Sequence, residues 1–262
     1  MNVEIFIRSF RPDREWLAYC LRSIRKHARG FSGVTVAVPE AELDDFLPLE
    51  SYHTADGARV LMKRYFRVQD KGFILANLMA CYADTYCPQA DFILYTDSDC
   101  LVTQDITPAT YFTGDKPQLL FRTFDSLRKQ GQPYSDAACW QGPVERALKF
   151  PAPYEVMARH PAVHPRALLR EFRDHMEVVH GCPFYDYVLS CGNNPLGFAE
   201  FPTLGMFAMH AHPDWYDLID VSGWTIEQVK AKYKREMTQQ WSHGRSGDMY
   251  QQQRRFCEQV VA

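Results

Sequence analysis

Short apolar runs separated by polar turns open the chain. Val3-Glu4-Ile5-Phe6-Ile7 predicts a strand, followed by the turn Arg8-Ser9-Phe10-Arg11-Pro12-Asp13. Asp13 is a fitting helix N-cap, and Trp16, Leu17, Cys20, Leu21 and Ile24 recur at helical spacing behind it. Gly30 and Gly33 bracket the next turn, and Val34-Thr35-Val36-Ala37-Val38 predicts a second strand that stops at Pro39. Glu40 to Phe46 reads as a short helix, Val60 to Phe66 as a strand or irregular connection, and Gly72 to Tyr86 as a helix with a broad apolar face. Phe92-Ile93-Leu94-Tyr95-Thr96 is a continuous apolar strand of the kind buried on both sides, and it runs into Asp97-Ser98-Asp99.

A further strand is expected at Gln118 to Thr123, after which Pro133, Gly142, Pro143, Pro151 and Pro153 break the pattern into short pieces. Pro165 to Val179 predicts a helix, Tyr185 to Cys191 a short element, and Phe198 to Met209 mixed strand and turn. A helix starting at Trp224 or Thr225 is expected to run towards Gln239, and the chain closes on an amphipathic Gln/Arg-rich stretch. Strand–helix–strand order of this kind predicts an α/β fold with a mostly parallel, helix-flanked sheet. With no repeat and no long linker, residues 1–262 read as a single domain with a regular half, 1–125, and an irregular half, 126–262.

Composition narrows the function classes. The 262 residues are 46% hydrophobic and carry 29 basic against 32 acidic groups, which argues against disorder and against a dedicated nucleic-acid coat protein. The eight cysteines contain no CxxC pair, so a zinc ribbon is not expected. The opening Met1-Asn2-Val3-Glu4 lacks the features of a secretory leader, and no apolar run reaches the ~18–20 residues that span a bilayer. A cytoplasmic protein with reduced thiols is the expectation.

Asp97 and Asp99 are placed just beyond the C-terminal end of a central strand, the edge where open α/β sheets gather ligands. Two carboxylates there are costly unless solvated or sharing a cation, and Mg²⁺ or Mn²⁺ would offset their repulsion. A solvated surface turn fits the same residues.

Taken in order, IFIRSFRPDREWLAYCLRSI, VTVAVP and DFILYTDSDCLV resemble the GT-A class of nucleotide-sugar-dependent glycosyltransferases, mainly over residues 1–125. The resemblance implies a GT-A-like, Rossmann-like fold and a donor-binding first half. It also implies a divalent ion, Mn²⁺ or Mg²⁺, held by Asp97 and Asp99 against the donor diphosphate. It implies transfer of a sugar from a nucleoside-diphosphate sugar, with a uridine diphosphate sugar favoured, and a late histidine closing the metal site. His243 is the leading match, with His210 and His212 as rivals on one face of an extended segment. His160 and His164 fit structural or acceptor-lining roles better.

Other candidates come from residue chemistry. Phe10 and Arg11 are placed to stack on a base and meet phosphate, Asp70 and Lys71 to bind ribose or uracil and diphosphate, and Arg245 to bind phosphate. An inverting reaction needs a base to deprotonate the acceptor, for which Glu200 leads, with Asp186 and Asp125 as competitors. Trp140, Phe184, Tyr185, Phe198 and Phe201 offer aromatic faces, and Asn193 and Asn194 offer amides to sugar hydroxyls.

Seven Lys/Arg against three acids occur in the first 30 residues and again from Lys230 onward, so two meeting ends would form a basic rim. Such a rim would suit DNA with modified bases, an anionic glycan or the nucleotide donor itself, and the expected acceptor is a glycan or small molecule, with DNA carrying modified bases as a further partner. A metal-dependent nucleotidyltransferase or phosphoesterase and a noncatalytic carbohydrate- or nucleic-acid-binding protein are the competing readings.

Overall fold

The computed structural model describes residues 1–65, 72–131, 134–156, 161–194, 196–233, 237–239 and 247–262. The expectations for His160, Asp70, Lys71, His243 and Arg245 fall outside them. In chain order the first elements are β1 (Val3–Arg8), α1 (Arg14–His27), β2 (Gly33–Pro39), α2 (Leu43–Phe46) and β3 (Val60–Tyr65). Then come α3 (Gly72–Ala80), α4 (Ala83–Tyr86), β4 (Phe92–Asp97), β5 (Cys100–Val102), β6 (Phe112–Thr113) and β7 (Lys116–Thr123). The second half continues with α5 (Phe124–Gln130), α6 (Gln141–Leu148), β8 (Tyr154–Glu155), β9 (Ala162–Pro165), α7 (Arg166–His180) and α8 (Phe184–Ser190). It ends with α9 (Glu200–Ala211), β10 (Asp217–Asp220), α10 (Ile226–Tyr233), β11 (Met237–Gln239) and α11 (Gly247–Val261).

The central sheet runs β3-β2-β1-β4-β9. Its first four strands are parallel and β9 is an antiparallel edge. This is an α/β fold with a mixed, mostly parallel sheet flanked by helices, consistent with the GT-A-like, Rossmann-like arrangement expected. Alternation along β1 explains the two cores. Val3, Ile5 and Ile7 face Leu17, Leu21 and Ile24 of α1, whereas Phe6 faces the cluster that contains α3, α7 and α9. A smaller sheet orders β10-β7-β6, with β8 also paired to β7. Among the described residues no helix is long and apolar enough to cross a membrane. None of the eight cysteines is in a disulfide.

Several elements depart from the pattern-based expectation. Phe198 to Met209 is not strand and turn: Glu200–Ala211 is a helix. Pro202 is tolerated because it lies in the first turn, whose N–H groups have no intrahelical partner, and Glu200 through Ala208 are all buried, which erases the amphipathic period. The expected 72–86 helix breaks after Ala80, where Cys81 and Tyr82 turn the chain into α4. Of the helix expected from Trp224 towards Gln239, the described residues show Ile226–Tyr233 as α10, while Met237–Gln239 form strand β11 instead.

Two packing details are directly testable. A Cβ on Gly205 of α9 would stand 2.9 Å from Val156 Cβ and 3.0 Å from its Cγ1. Overpacking of this kind costs about 1–3 kcal/mol, more than the ~1 kcal/mol of helix propensity that alanine returns. Gly205→Ala is therefore expected to lower the urea midpoint of the full chain; an unchanged or higher midpoint would contradict the close approach.

His180 stacks on Tyr187 with ring centroids 3.7 Å apart, and its Nε2 lies 2.7 Å from Ala147 O. Burial, assisted by Lys149 and His175 and opposed by the bond to Ala147, holds its pKa below the ordinary histidine value. A lowered folded value means that the stability contribution is present above about pH 6.5 and is lost as pH falls through the folded pKa. The drop in Tm on acidification from pH 7.5 to 5 is expected to be smaller in His180→Gln.

Candidate functional site

The parallel register sets the site. Arg8 ends β1 beside Asp97, which ends β4, so their side chains leave neighbouring strands on the same face. That face carries α3 and α9, and Arg8 reaches both. Its Nη2 donates to Asp97 Oδ1 at 3.0 Å, and its Nη1 to Glu200 Oε1 at 2.6 Å and Ala76 O at 2.9 Å. Asn77 Oδ1 lies 3.4 Å from Nη1, and the Phe201 ring lies 5.0 Å from the guanidinium carbon. Asn77 in turn donates to Phe198 O at 3.0 Å, tying α3 to the segment that enters α9. Burial alone would lower the Arg8 pKa, but attraction to Glu200 first and Asp97 second outweighs it, and the guanidinium is held above its usual value. The side chains of Arg8, Asp97 and Glu200 are 12%, 25% and 10% exposed, so these are close, largely desolvated charges.

After Asp97 the chain turns through Ser98 and Asp99, both buried, and re-forms as β5. Ser98 Oγ lies 3.4 Å from Oδ2 of buried Asp13. Cys20 Sγ lies 3.9 Å from Asp97 O, and Cys100 Sγ 4.0 Å from Asp99 Oδ1. Burial foremost, then the charges of Asp97 and Asp99, raise both thiol pKa values, so these cysteines stay protonated and are poor nucleophiles.

β11 lies antiparallel to β5, with Gln239 opposite Cys100, and α11 packs on α1. Trp16 meets Tyr250 edge to face at 5.7 Å, while Glu15 accepts from Tyr250 at 2.6 Å and pairs with Arg254 at 3.0 Å. α1 and α11, one from each basic end, do meet, and in that contact Glu15 takes up Arg254.

The structure thus brings Asp97 and Glu200 together through Arg8. Glu200 opens a helix, where its charge suits the positive end of the helix dipole. Asp125 instead lies exposed in the first turn of α5, 3.0 Å from Arg128, and Asp186 lies exposed in the first turn of α8. Arg11 is exposed and pairs with Asp45 at 2.7 Å; Phe10 caps the short 3-10 turn Arg11–Asp13.

His210 and His212 do not share an extended face. His210 stacks on Phe150 from inside α9, whereas His212, beyond its end, stacks on Trp215 and meets Glu171 at 2.6 Å. His164 bonds Tyr216 at 3.0 Å. Phe184, Phe198 and Phe201 are core residues rather than open sugar platforms, and Trp140 and Tyr185 are partly buried. Asn193 Oδ1 accepts the N–H of Ile74 in the first turn of α3, and Asn194 Oδ1 that of Leu196, so both amides brace the local backbone.

Sequence reasoning missed Arg8, Asn77 and the contact of Asp13 with Ser98. A signal for Arg8 was present: the apolar alternation of β1 places it on the same side as Phe6, at the same sheet edge as Asp97.

Among the described residues no group of three or more His, Cys, Asp or Glu side chains is arranged to hold a metal ion. Asp97 and Asp99 supply hard oxygen donors, which suit an ion such as Mg²⁺ that takes one or two carboxylates plus substrate phosphate oxygens and water.

No family model matches the chain, and no curated protein matches it. A solved structure of the galactosyltransferase LgtC in complex with donor and acceptor sugar analogues is similar at 10% identity with a TM-score of 0.47. The match covers 83% of this chain and 72% of that one. Likeness at this level establishes no activity.

Proposed function

We propose that the chain is a metal-dependent glycosyltransferase that moves a sugar from a nucleoside-diphosphate sugar to a hydroxyl acceptor, a glycan or a small molecule. The observation that carries this reading is the pair Asp97 and Asp99 at the C-terminal edge of a parallel strand, with Asp97 fixed by Arg8 beside Glu200. Asp97 and Asp99 would hold Mn²⁺ or Mg²⁺, with His243 proposed as a further ligand. When bound, the ion would neutralise charge on the departing nucleoside diphosphate.

The remaining roles belong to the chain's own groups. Arg8 fixes the direction of the Asp97 carboxylate, and through Ala76 O and Asn77 it anchors that carboxylate to α3. In an inverting displacement, Glu200 accepts the acceptor hydroxyl's proton at Oε2, because Oε1 is engaged by Arg8. Phe10, Arg11, Asp70, Lys71 and Arg245 are the proposed donor contacts, and the Arg11–Asp45 pair would open when Arg11 meets phosphate.

The test is a panel of nucleotide sugars incubated with the full chain, Mn²⁺ and simple glycoside acceptors, reading nucleoside diphosphate and glycosylated product. Release that requires the metal and stops on chelation is expected for at least one uridine diphosphate sugar. No release across the panel, or release of a sugar phosphate instead of free nucleoside diphosphate, would overturn the reading, the latter in favour of attack at phosphorus.

A further inference from the structure

This inference rests on the metal-dependent reading above and concerns how its two sides communicate. The Arg8 guanidinium stands between carboxylates that are far apart in sequence: Asp97 on β4, 3.0 Å from Nη2, and Glu200 on α9, 2.6 Å from Nη1. The bonds to Ala76 O and Asn77 Oδ1, with the Phe201 ring alongside, hold the guanidinium between them. One cation therefore serves two anions, and each carboxylate offsets part of the guanidinium's positive field at the other. A divalent ion on the aspartate pair would be a second cation drawn to Asp97. Arg8 and the ion are then competitors for one carboxylate, and Glu200 is the group that draws Arg8 away.

We propose that Arg8 is a positioning residue whose hold on Glu200 limits its hold on Asp97, so that Glu200 tunes the affinity of the Asp97–Asp99 pair for a divalent cation. The consequence is a link between the second half of the chain and the aspartates. α9 is packed with α6 and α7, and a shift of its first turn would move Glu200 relative to Arg8 and alter the cation site without touching it. The link runs through one guanidinium, not through the sheet.

The experiment is calorimetric titration of MnCl₂ into the full chain without donor, for wild type, E200Q, the double variant R8Q/E200Q and D97N/D99N. Near-UV circular dichroism and Tm confirm that each is folded. The side-chain amide introduced by E200Q still accepts a hydrogen bond but carries no charge, so Arg8 turns its charge on Asp97. Mn²⁺ binding is therefore expected to weaken by about tenfold in E200Q. Removing the competing guanidinium as well is expected to restore affinity to the wild-type value or tighter. A merely structural bridge would lower Tm in both variants and would not give this reversal.

An E200Q affinity within about twofold of wild type, or a folded double variant no tighter than E200Q, overturns the proposal. If the double variant does not fold, E200Q decides alone. Wild type taking up no Mn²⁺ overturns this proposal and leaves the metal reading to the nucleoside diphosphate assay, whereas D97N/D99N binding as wild type does removes the aspartate assignment and this proposal with it. Loss of binding in D97N/D99N with E200Q unchanged leaves the reading standing and removes the coupling.

Discussion

Arg8→Met is expected to cost the folded chain about 3–5 kcal/mol, the range for breaking a buried ion pair by removing one partner. The loss is set by what remains. Asp97 and Glu200 would keep their positions in a largely desolvated space without their shared cation, and Ala76 O would lose its donor. Against a typical total of about 5–15 kcal/mol, that is a large fraction of the stability. Urea denaturation of the full chain measures it. Arg8→Lys should recover only part, because an ammonium cannot span two carboxylates as a planar guanidinium does. A loss below about 1 kcal/mol would mean that the pair is screened as surface ion pairs are.

Asp99→Asn is expected to reduce metal-dependent release of nucleoside diphosphate by about a thousandfold, on the proposed reading. The amide fills the same space but brings no negative charge to a divalent ion. Asp99 is buried beside the thiol of Cys100. Asp97→Asn should lose turnover and also stability, because Arg8 would keep Glu200 alone as its charged partner. Turnover and Tm are measured for both variants. An Asp99→Asn chain retaining more than a tenth of wild-type turnover would remove Asp99 from the metal assignment.

How much of this was legible depended on the kind of burial each segment meets. β1, α1, β2 and β4 were readable because their apolar positions alternate, run continuously or recur at helical spacing. α7 was readable for the same reason: one face buries Leu168, Leu169, Phe172 and Met176. α9 was not, since a helix buried on every side carries no periodic signal, and Pro202 and Gly205 mimic a turn. β9 is four residues of Ala-Val-His-Pro at a sheet edge, too short and too polar to stand out, and it is specified by pairing with β4.

At the site, the placement of Asp97 and Asp99 at the C-terminal edge of a strand could be read from an apolar run that ends in acids. Glu200 could be named as a carboxylate of interest, but not as a partner of Asp97. That relation needs α9 to lie over β1, which is a fact of tertiary packing and not of local pattern. Arg8 was hidden for a simpler reason: an arginine at a strand end is usually a solvated one.

The pairing of β11 with β5 carries one more consequence. Cys100, next to Asp99, finds its register partner only at Gln239, far along the sequence, and α11 packs on α1. On a ribosome, the strands of the first half can assemble early, but the flank of the acidic turn waits until Met237–Gln239 have emerged. Such a non-local closure is entropically slow. Nascent chains arrested before Met237 should therefore present a formed parallel sheet with an unfinished edge beside Asp99, a stage at which chaperone capture or misplaced strand pairing would compete with maturation.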